Sequence, residues 1–375
     1  MKYTEYGKTG IRVSRLGFGA MRLPMREVDG KSVADEELSV PLIRHAFDLG
    51  VNYIDSAFGY CGGTSESIVG KAVKGRRDKI YISTKNPTGD CDGAAWTERL
   101  ETSLKRLDTD YIDFYNYHGA SINAYRSWKE AENGPIQAAL KAKDQGMIRH
   151  ISFSTHDKPE NIIELIDTGF FDSITLQYNL LDRSNEGAIA HAKQKGLGVT
   201  VMGPVGGGRL GSPSEVIRGL LEKKPVSTAE MALRFVLANE NVHIALSGMN
   251  EISQVDENVQ IASREGSLTG DELLRVKEMM EENKKLASLY CTGCNYCLPC
   301  PKEINIPHIF GIMNTHKVYG LTNNAKNEYA NVINKRGWVK SADASACAEC
   351  GECEGKCPQN IPIIEQLKET HAALV

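Results

Sequence analysis

Long apolar runs are missing from this sequence. No stretch approaches the roughly 18 apolar residues that a membrane-spanning helix needs, so no membrane partner is expected. Charge of one sign is missing too. The chain has 44 Lys and Arg against 48 Asp and Glu, a net charge of −4, which excludes the broad basic surface of a nucleic-acid binder. Cysteine is nearly absent from the first 290 residues, where only Cys61 and Cys91 occur. Both read as isolated small residues rather than a pair. The opening stretch MKYTEYGKTGIRVSRLGFGA lacks the apolar core of a secretory signal, and a cytoplasmic protein is expected. The composition that remains, 41% hydrophobic and 25% charged over 375 residues, is that of a globular chain with room for one large barrel and an appendage.

Residues 1–286 repeat one rhythm of a short apolar run followed by an amphipathic helical stretch. The apolar runs are Leu16–Met21, Val51–Ser56, Ile80–Lys85, Tyr111–Tyr117, Ile148–Ser154, Ser173–Tyr178, Leu197–Met202 and Val242–Ser247. Gly50, Gly146, Gly169 and Gly196 stand just before four of them, where glycine ends a helix in the left-handed conformation. Ser227-Thr228-Ala229-Glu230 reads as a capping box before Met231–Leu237. Runs such as IYIST and ITLQY are apolar throughout rather than alternating, as parallel strands covered by helices require. Eight strand–helix units predict an α/β fold, a (β/α)8 TIM barrel over residues 1–286. A doubly wound open sheet is the competitor. Its nucleotide-binding turn wants three glycines, and Gly17-Phe18-Gly19-Ala20-Met21-Arg22 has two. Lys2–Val13 reads as a hairpin turning at Lys8-Thr9-Gly10, ahead of the first barrel strand.

The composition changes near residue 287, after a charged amphipathic helix at Asp271–Leu286. The other eight cysteines fall in two runs. The first is Cys291, Cys294, Cys297 and Cys300, followed by Pro301; the second is Cys347, Cys350, Cys353 and Cys357, followed by Pro358. Two-residue gaps let one tight loop present three thiolates to three irons of a cubane, and the proline turns the chain away. Zinc also accepts Cys-x2-Cys pairs, but usually as two pairs set apart by a knuckle. The even packing of four thiols weighs toward two [4Fe–4S] clusters. The runs resemble ferredoxin-type domains, which implies that the fourth cysteine of each run serves the other cluster. Cys291, Cys294, Cys297 and Cys357 would then hold one, and Cys347, Cys350, Cys353 and Cys300 the second. The last gap of the first run is two residues rather than three. Residues 301–346 between the runs, with Ile306–Phe310 and Leu321–Asn334, read as helices packing around the clusters, so residues 287–375 form a mostly helical ferredoxin-like iron–sulfur domain.

Three consecutive strand ends of the barrel carry unusual polar residues: Asp55 with Tyr60, Lys85, and His118. C-terminal strand ends are where such barrels do chemistry. Singly, each residue has an ordinary reading as a cap, a packed ring or a solvated charge; together they converge on one mouth. Here the chain resembles the aldo-keto reductase family over about residues 3–265, through Asp55-Ser56-Ala57-Phe58-Gly59-Tyr60 and the ordered set Asp, Tyr, Lys, His. The resemblance implies hydride transfer between a nicotinamide cofactor and a small carbonyl or alcohol substrate, with Tyr60 as general acid/base. Lys85 would bias Tyr60, Asp55 would hold Lys85, and His118 would orient the carbonyl. It also implies nucleotide contacts at Ser154, Gln177, Gly203 in the Gly203–Gly208 loop, Ser247, Gln254, Glu257 and Asn258. Where NADPH-specific members place a lysine and an arginine after strand eight, this chain has Gly248 and Gln254, so NADH and NADPH both stay open, with Arg209 and Arg264 as alternative cations.

Three roles for the two halves together remain. The clusters pass electrons to or from a partner such as a ferredoxin; they are structural or redox-sensing in a carbonyl reductase; or the barrel is regulatory and not an enzyme. Aerobically purified protein is expected to be brownish and to lose its colour with chelator and oxidant. A colourless protein with stoichiometric zinc would overturn the cluster assignment.

Overall fold

The computed structural model describes residues 1–87, 92–221, 225, 227–264, 268–288, 291, 295–336, 338–357 and 360–375. Cys91, Cys294 and Pro358 lie outside the described residues. The chain divides into two compact units, Met1–Gly206 with Ala232–Leu268, and Gly207–Met231 with Thr269–Val375.

The first unit opens with the expected hairpin, β1 (Tyr3–Glu5) paired antiparallel with β2 (Arg12–Ser14). β3 (Leu16–Gly19) follows, then a second hairpin of β4 (Met25–Val28) and β5 (Lys31–Ala34). The barrel continues with β6 (Tyr53–Asp55), β7 (Tyr81–Pro87), β8 (Ile112–His118), β9 (Ile148–Thr155), β10 (Ser173–Gln177), β11 (Gly198–Met202) and β12 (Ile244–Ser247). β3 and β6 to β12 form a closed parallel barrel in chain order, with β12 returning to β3. Closure excludes the open doubly wound sheet. The strands are buried along almost their whole length, because side chains fill the interior and helices cover the outside. Gly50, Gly146, Gly169 and Gly196 all have φ between 69° and 95°, the conformation that lets each helix stop and the next strand begin.

The hairpin β1–β2 carries the plug of the barrel. Tyr6 is fully buried against Tyr53 and Phe114, edge-on to the latter with ring centroids 5.0 Å apart. Its hydroxyl hydrogen-bonds Thr200 Oγ1 at 2.7 Å, so the one polar atom of the plug is satisfied. The β4–β5 hairpin was not read from the sequence, although Asp29-Gly30 at its tip, with φ of 50° and 74°, is the pair that a two-residue turn favours.

The second unit is helical. Its long helices are Gly270–Ser288, Ile306–Lys317, Thr322–Ile333 and Ile363–Leu374. The last three enclose a core of Ile309, Phe310, Tyr329 and Leu367. Asn305 caps the second of these helices through His308 N–H at 3.2 Å, and Pro307 sits in its first turn, where no amide donor is needed. The segment Gly207–Met231 between β11 and β12 belongs to this unit and is tied to it by Ser214 Oγ, which donates to Tyr319 O at 2.6 Å. The expected capping box is seen in part, with Glu230 N–H donating to Ser227 Oγ at 2.9 Å. Among the described residues no helix is long and apolar enough to cross a membrane.

Tyr6→Ala empties the plug and orphans Thr200. Chemical denaturation is expected to show a loss of roughly 3–5 kcal/mol, the range for deleting a buried aromatic ring.

Candidate active site and cysteine-lined recess

Register places the polar strand ends side by side. β6 pairs with β7 so that Asp55 faces Ser83, and β7 with β8 so that Lys85 faces Asn116. Asp55 and Lys85 are each 2% exposed and form an ion pair through Asp55 Oδ1 and Lys85 Nζ. An ammonium and a carboxylate taken out of water are tolerated only when their remaining hydrogen-bonding groups are filled as well. Lys85 Nζ also donates to Ser56 O at 2.7 Å, and Asp55 Oδ2 accepts from Ser83 Oγ at 2.8 Å. Asn116 Nδ2 in turn donates to Ser83 Oγ at 3.0 Å and to Thr84 O at 3.1 Å. Burial alone would push the Lys85 ammonium toward its neutral form. Asp55 and Tyr60 beside it outweigh burial and hold its pKa above the usual lysine range.

Tyr60 begins a tight helical turn, Tyr60–Gly63, just after β6. Lys85 Nζ lies 4.6 Å from the centre of its ring. The His118 ring stands edge-on to it, with centroids 5.9 Å apart and planes at 84°. The turn needs left-handed backbone immediately after Tyr60, at Cys61 and Gly62. A Cβ on Gly62 would meet Ser32 O at 2.6 Å, because the β4–β5 hairpin packs behind the turn. Ala34 N–H of that hairpin donates to Thr64 Oγ1 at 2.9 Å, and Thr64 Oγ1 donates to Cys61 O at 2.6 Å. Burial, with the Lys85 charge and His156 adding to it, depresses the His118 pKa to about 4, so the ring is neutral at neutral pH.

The expected nucleotide residues fall into groups on adjacent strand ends. Ser154 follows His118 closely: its Oγ accepts from Gly119 N–H at 3.2 Å, and its carbonyl accepts from Ala120 N–H at 2.8 Å. Gln177 and Gly203 touch, and a Cβ on Gly203 would stand 2.8 Å from Gln177 Oε1. Asn258 Nδ2 donates to Ser247 Oγ at 3.2 Å, and Gln254 Oε1 accepts from Asn250 N–H at 3.0 Å. Gln254, Glu257 and Asn258 share the helix Ile252–Ser263.

In the second unit Cys297, Cys300, Cys347, Cys350 and Cys353 line one small recess of about 20 Å³. Burial raises the Cys353 pKa, and the nearby Cys347 and Cys300 thiols add to the shift. Cys291 and Cys357 pack against the same apolar core as Cys297. Thiols are the donors that a cubane cluster takes, so the residues of this recess fit one in kind. Among the described residues no three His, Cys, Asp or Glu side chains are drawn in around a single-ion position.

A family model for the Aldo/keto reductase family matches residues 15–281, and one for a 4Fe-4S dicluster domain matches residues 290–361. The chain belongs to the aldo/keto reductase family. An uncharacterized oxidoreductase of Bacillus subtilis, YqkF, is 30% identical over 296 residues, which cover 70% of this chain and 92% of that protein. The L-galactose dehydrogenase of Arabidopsis thaliana is 28% identical over 308 residues, covering 75% of this chain and 94% of its own length. Among solved structures, the aldo-keto reductase AKR11C1 from Bacillus halodurans in its holo form is 31% identical, with a TM-score of 0.64 over 74% of this chain and 96% of that one. This aldo/keto reductase therefore carries a C-terminal iron–sulfur domain on an oxidoreductase barrel.

Three groups that support the Asp55–Lys85 pair were not read from the sequence: Ser83, Asn116 and the Ser56 carbonyl. The first two sit in strands that read as apolar, and only the register sets Ser83 against Asp55 and Asn116 against Ser83. Arg22 follows β3, and its side chain runs beside Gly248 just past β12. A Cβ on Gly248 would stand 3.4–3.6 Å from Arg22 carbons.

An NMR titration is expected to place the His118 ring near pH 4. Because its pKa is 6.5 when unperturbed and about 4 when folded, the unfolded chain gains the proton first as pH falls. Folding stability therefore drops from pH 6.5 toward 4, and His118→Asn should make that drop shallower in pH-dependent melts. His243, depressed to about 3 mainly by burial, keeps part of the slope in the variant.

Proposed function

We propose that the barrel is an NAD(P)(H)-dependent oxidoreductase acting on a small carbonyl or alcohol, with Tyr60 as the general acid/base. The observation that carries this reading is the nearness of the Tyr60 ring to both the buried Lys85 ammonium and the neutral His118 ring. Bound nicotinamide supplies or accepts the hydride. In the reducing direction the Tyr60 hydroxyl gives its proton to the carbonyl oxygen. In the oxidising direction the phenolate takes it back. A phenol is a weak acid at neutral pH, so Lys85 stabilises the phenolate and Asp55 keeps Lys85 charged and in place. Neutral His118 donates an N–H to the same oxygen and fixes its position.

Ser154, Gln177, Gly203, Ser247, Gln254, Glu257 and Asn258 are assigned to the nucleotide on the family resemblance. The Escherichia coli NADH-specific methylglyoxal reductase is 28% identical over 75% of this chain, which supports NADH and a small polar carbonyl. Arg22 beside Gly248 supports NADPH as an alternative, since it brings a cation to a strand end where Gly248 has no side chain.

Crosswise ligation, with Cys300 joining Cys347, Cys350 and Cys353 at one cluster, draws support from the four lining one recess, where Cys297 also stands. Cys291, Cys294, Cys297 and Cys357 are assigned to the other, within a domain spanning residues 287–375. Bound clusters carry one electron at a time, which suits exchange with a separate carrier. A second reading makes them structural, and it draws on the packing of the cysteines against the core of their own unit. The thiol-based ligands call for a reducing compartment, which we take to be the cytoplasm.

Tyr60→Phe is expected to lower kcat by a factor of about 100 or more while leaving nucleotide affinity near wild type. Equal loss of nucleotide binding would remove the assignment. Anaerobic EPR with NADH and NADPH as alternative reductants separates the two cluster readings, because only electron-passing clusters become reduced.

A further inference from the structure

One face of the second unit combines exposed cations with an exposed indole. Lys302, Lys335, Arg336 and Lys340 are all exposed. The ion pairs of this region use other cations, Lys317 with Glu369, Lys356 with Glu352 and Lys368 with Glu349. None of the four has a carboxylate partner among the described residues. Between them stands Trp338, 106% exposed, next to Val339 at 39%. A groove of about 480 Å³ runs past Asn331, Lys335, Val339 and Lys340, with Glu303 as its only carboxylate among the described lining residues.

Backbone hydrogen bonds through Glu303 link the lining of the groove to that of the cysteine recess. Ala342 N–H donates to Glu303 O at 3.0 Å, and Glu303 N–H donates to Cys300 O at 2.9 Å. Lys302 lines the recess on the other side of the same short segment. A molecule seated in the groove is thus separated from the Cys300 thiol by a few residues of chain. Tryptophan and arginine are the side chains most enriched at binding hot spots, and bare cations around them select an acidic partner.

We propose that this face docks an acidic one-electron carrier protein of the ferredoxin class and exchanges single electrons with the cluster held at Cys300, Cys347, Cys350 and Cys353. The proposal rests on the cluster reading above. One electron leaves the reduced carrier and is taken up at the cysteine-held site. No bond forms or breaks, and no proton moves.

The test uses the full chain, purified anaerobically with iron and sulfide measured, and mixed in a stopped-flow cell with a reduced acidic bacterial ferredoxin. Cluster reduction by the ferredoxin is expected to slow as salt rises, as steered association does. The variant Lys335→Glu/Arg336→Glu/Lys340→Glu should slow it roughly tenfold or more, and Trp338→Ala several-fold. A control, Lys105→Glu/Lys129→Glu/Lys141→Glu on the barrel, should leave the rate unchanged. Dithionite, which needs no docking face, should reduce all forms equally. Equal ferredoxin rates in all variants, with clusters present and reducible by dithionite, would overturn the docking face alone. Wild-type protein without iron and sulfide would overturn the cluster reading beneath it. Co-sedimentation of the wild type, but not Trp338→Ala, with phosphatidylserine vesicles would reassign the face to a membrane and overturn the proposal.

Discussion

The buried ion pair of Lys85 and Asp55 is the constraint around which the barrel mouth is arranged. Two opposite charges at 2% exposure are costly unless every remaining donor and acceptor is used. The Ser56 carbonyl takes a Lys85 donor and Ser83 an Asp55 acceptor, while Asn116 holds Ser83 in place through Ser83 Oγ. Their positions depend in turn on the register of β6, β7 and β8, since a slip of one residue would turn Ser83 away from Asp55. With Lys85 held charged, Tyr60 has a cation at its ring, and His118, kept neutral mainly by burial, is held so further by that charge. The β4–β5 hairpin completes the arrangement from behind by supporting the left-handed turn after Tyr60.

The two units carry different reactive groups. The barrel mouth holds the buried Lys85–Asp55 pair beside Tyr60 and His118. The second unit holds a recess lined by thiols. The chain itself joins them in an unexpected way. The stretch that follows Gly203, where the resemblance puts a nucleotide loop, passes into the second unit at Gly207 and is fastened there through Ser214 and Tyr319. Residues 207–231 therefore belong with the cysteine-bearing helices and not with the strands on either side of them.

Much of the fold was legible because its signals are local. Eight apolar runs, glycines at helix ends and the Asp271–Leu286 helix all reflect period, capping and composition, and each corresponds to an element of the structure. The grouping of Asp55, Tyr60, Lys85 and His118 was legible because consecutive parallel strands put their C-terminal ends on one rim. The β4–β5 hairpin escaped because its strands are short and mostly exposed, so no apolar alternation marks them. Ser83 and Asn116 escaped because a polar residue inside an apolar strand has no sequence sign of the partner it will face.

Sequence alone determined the barrel, the polar strand ends and the two cysteine runs, since repeat period, residue chemistry and spacing are properties of neighbours along the chain. Tertiary structure alone decided which thiols share a recess, which side chains satisfy the buried pair, that Arg22 lies beside Gly248, and that the segment after β11 joins the second unit. Each of these is a contact between distant parts of the chain, settled by packing and by the need to pair buried polar groups.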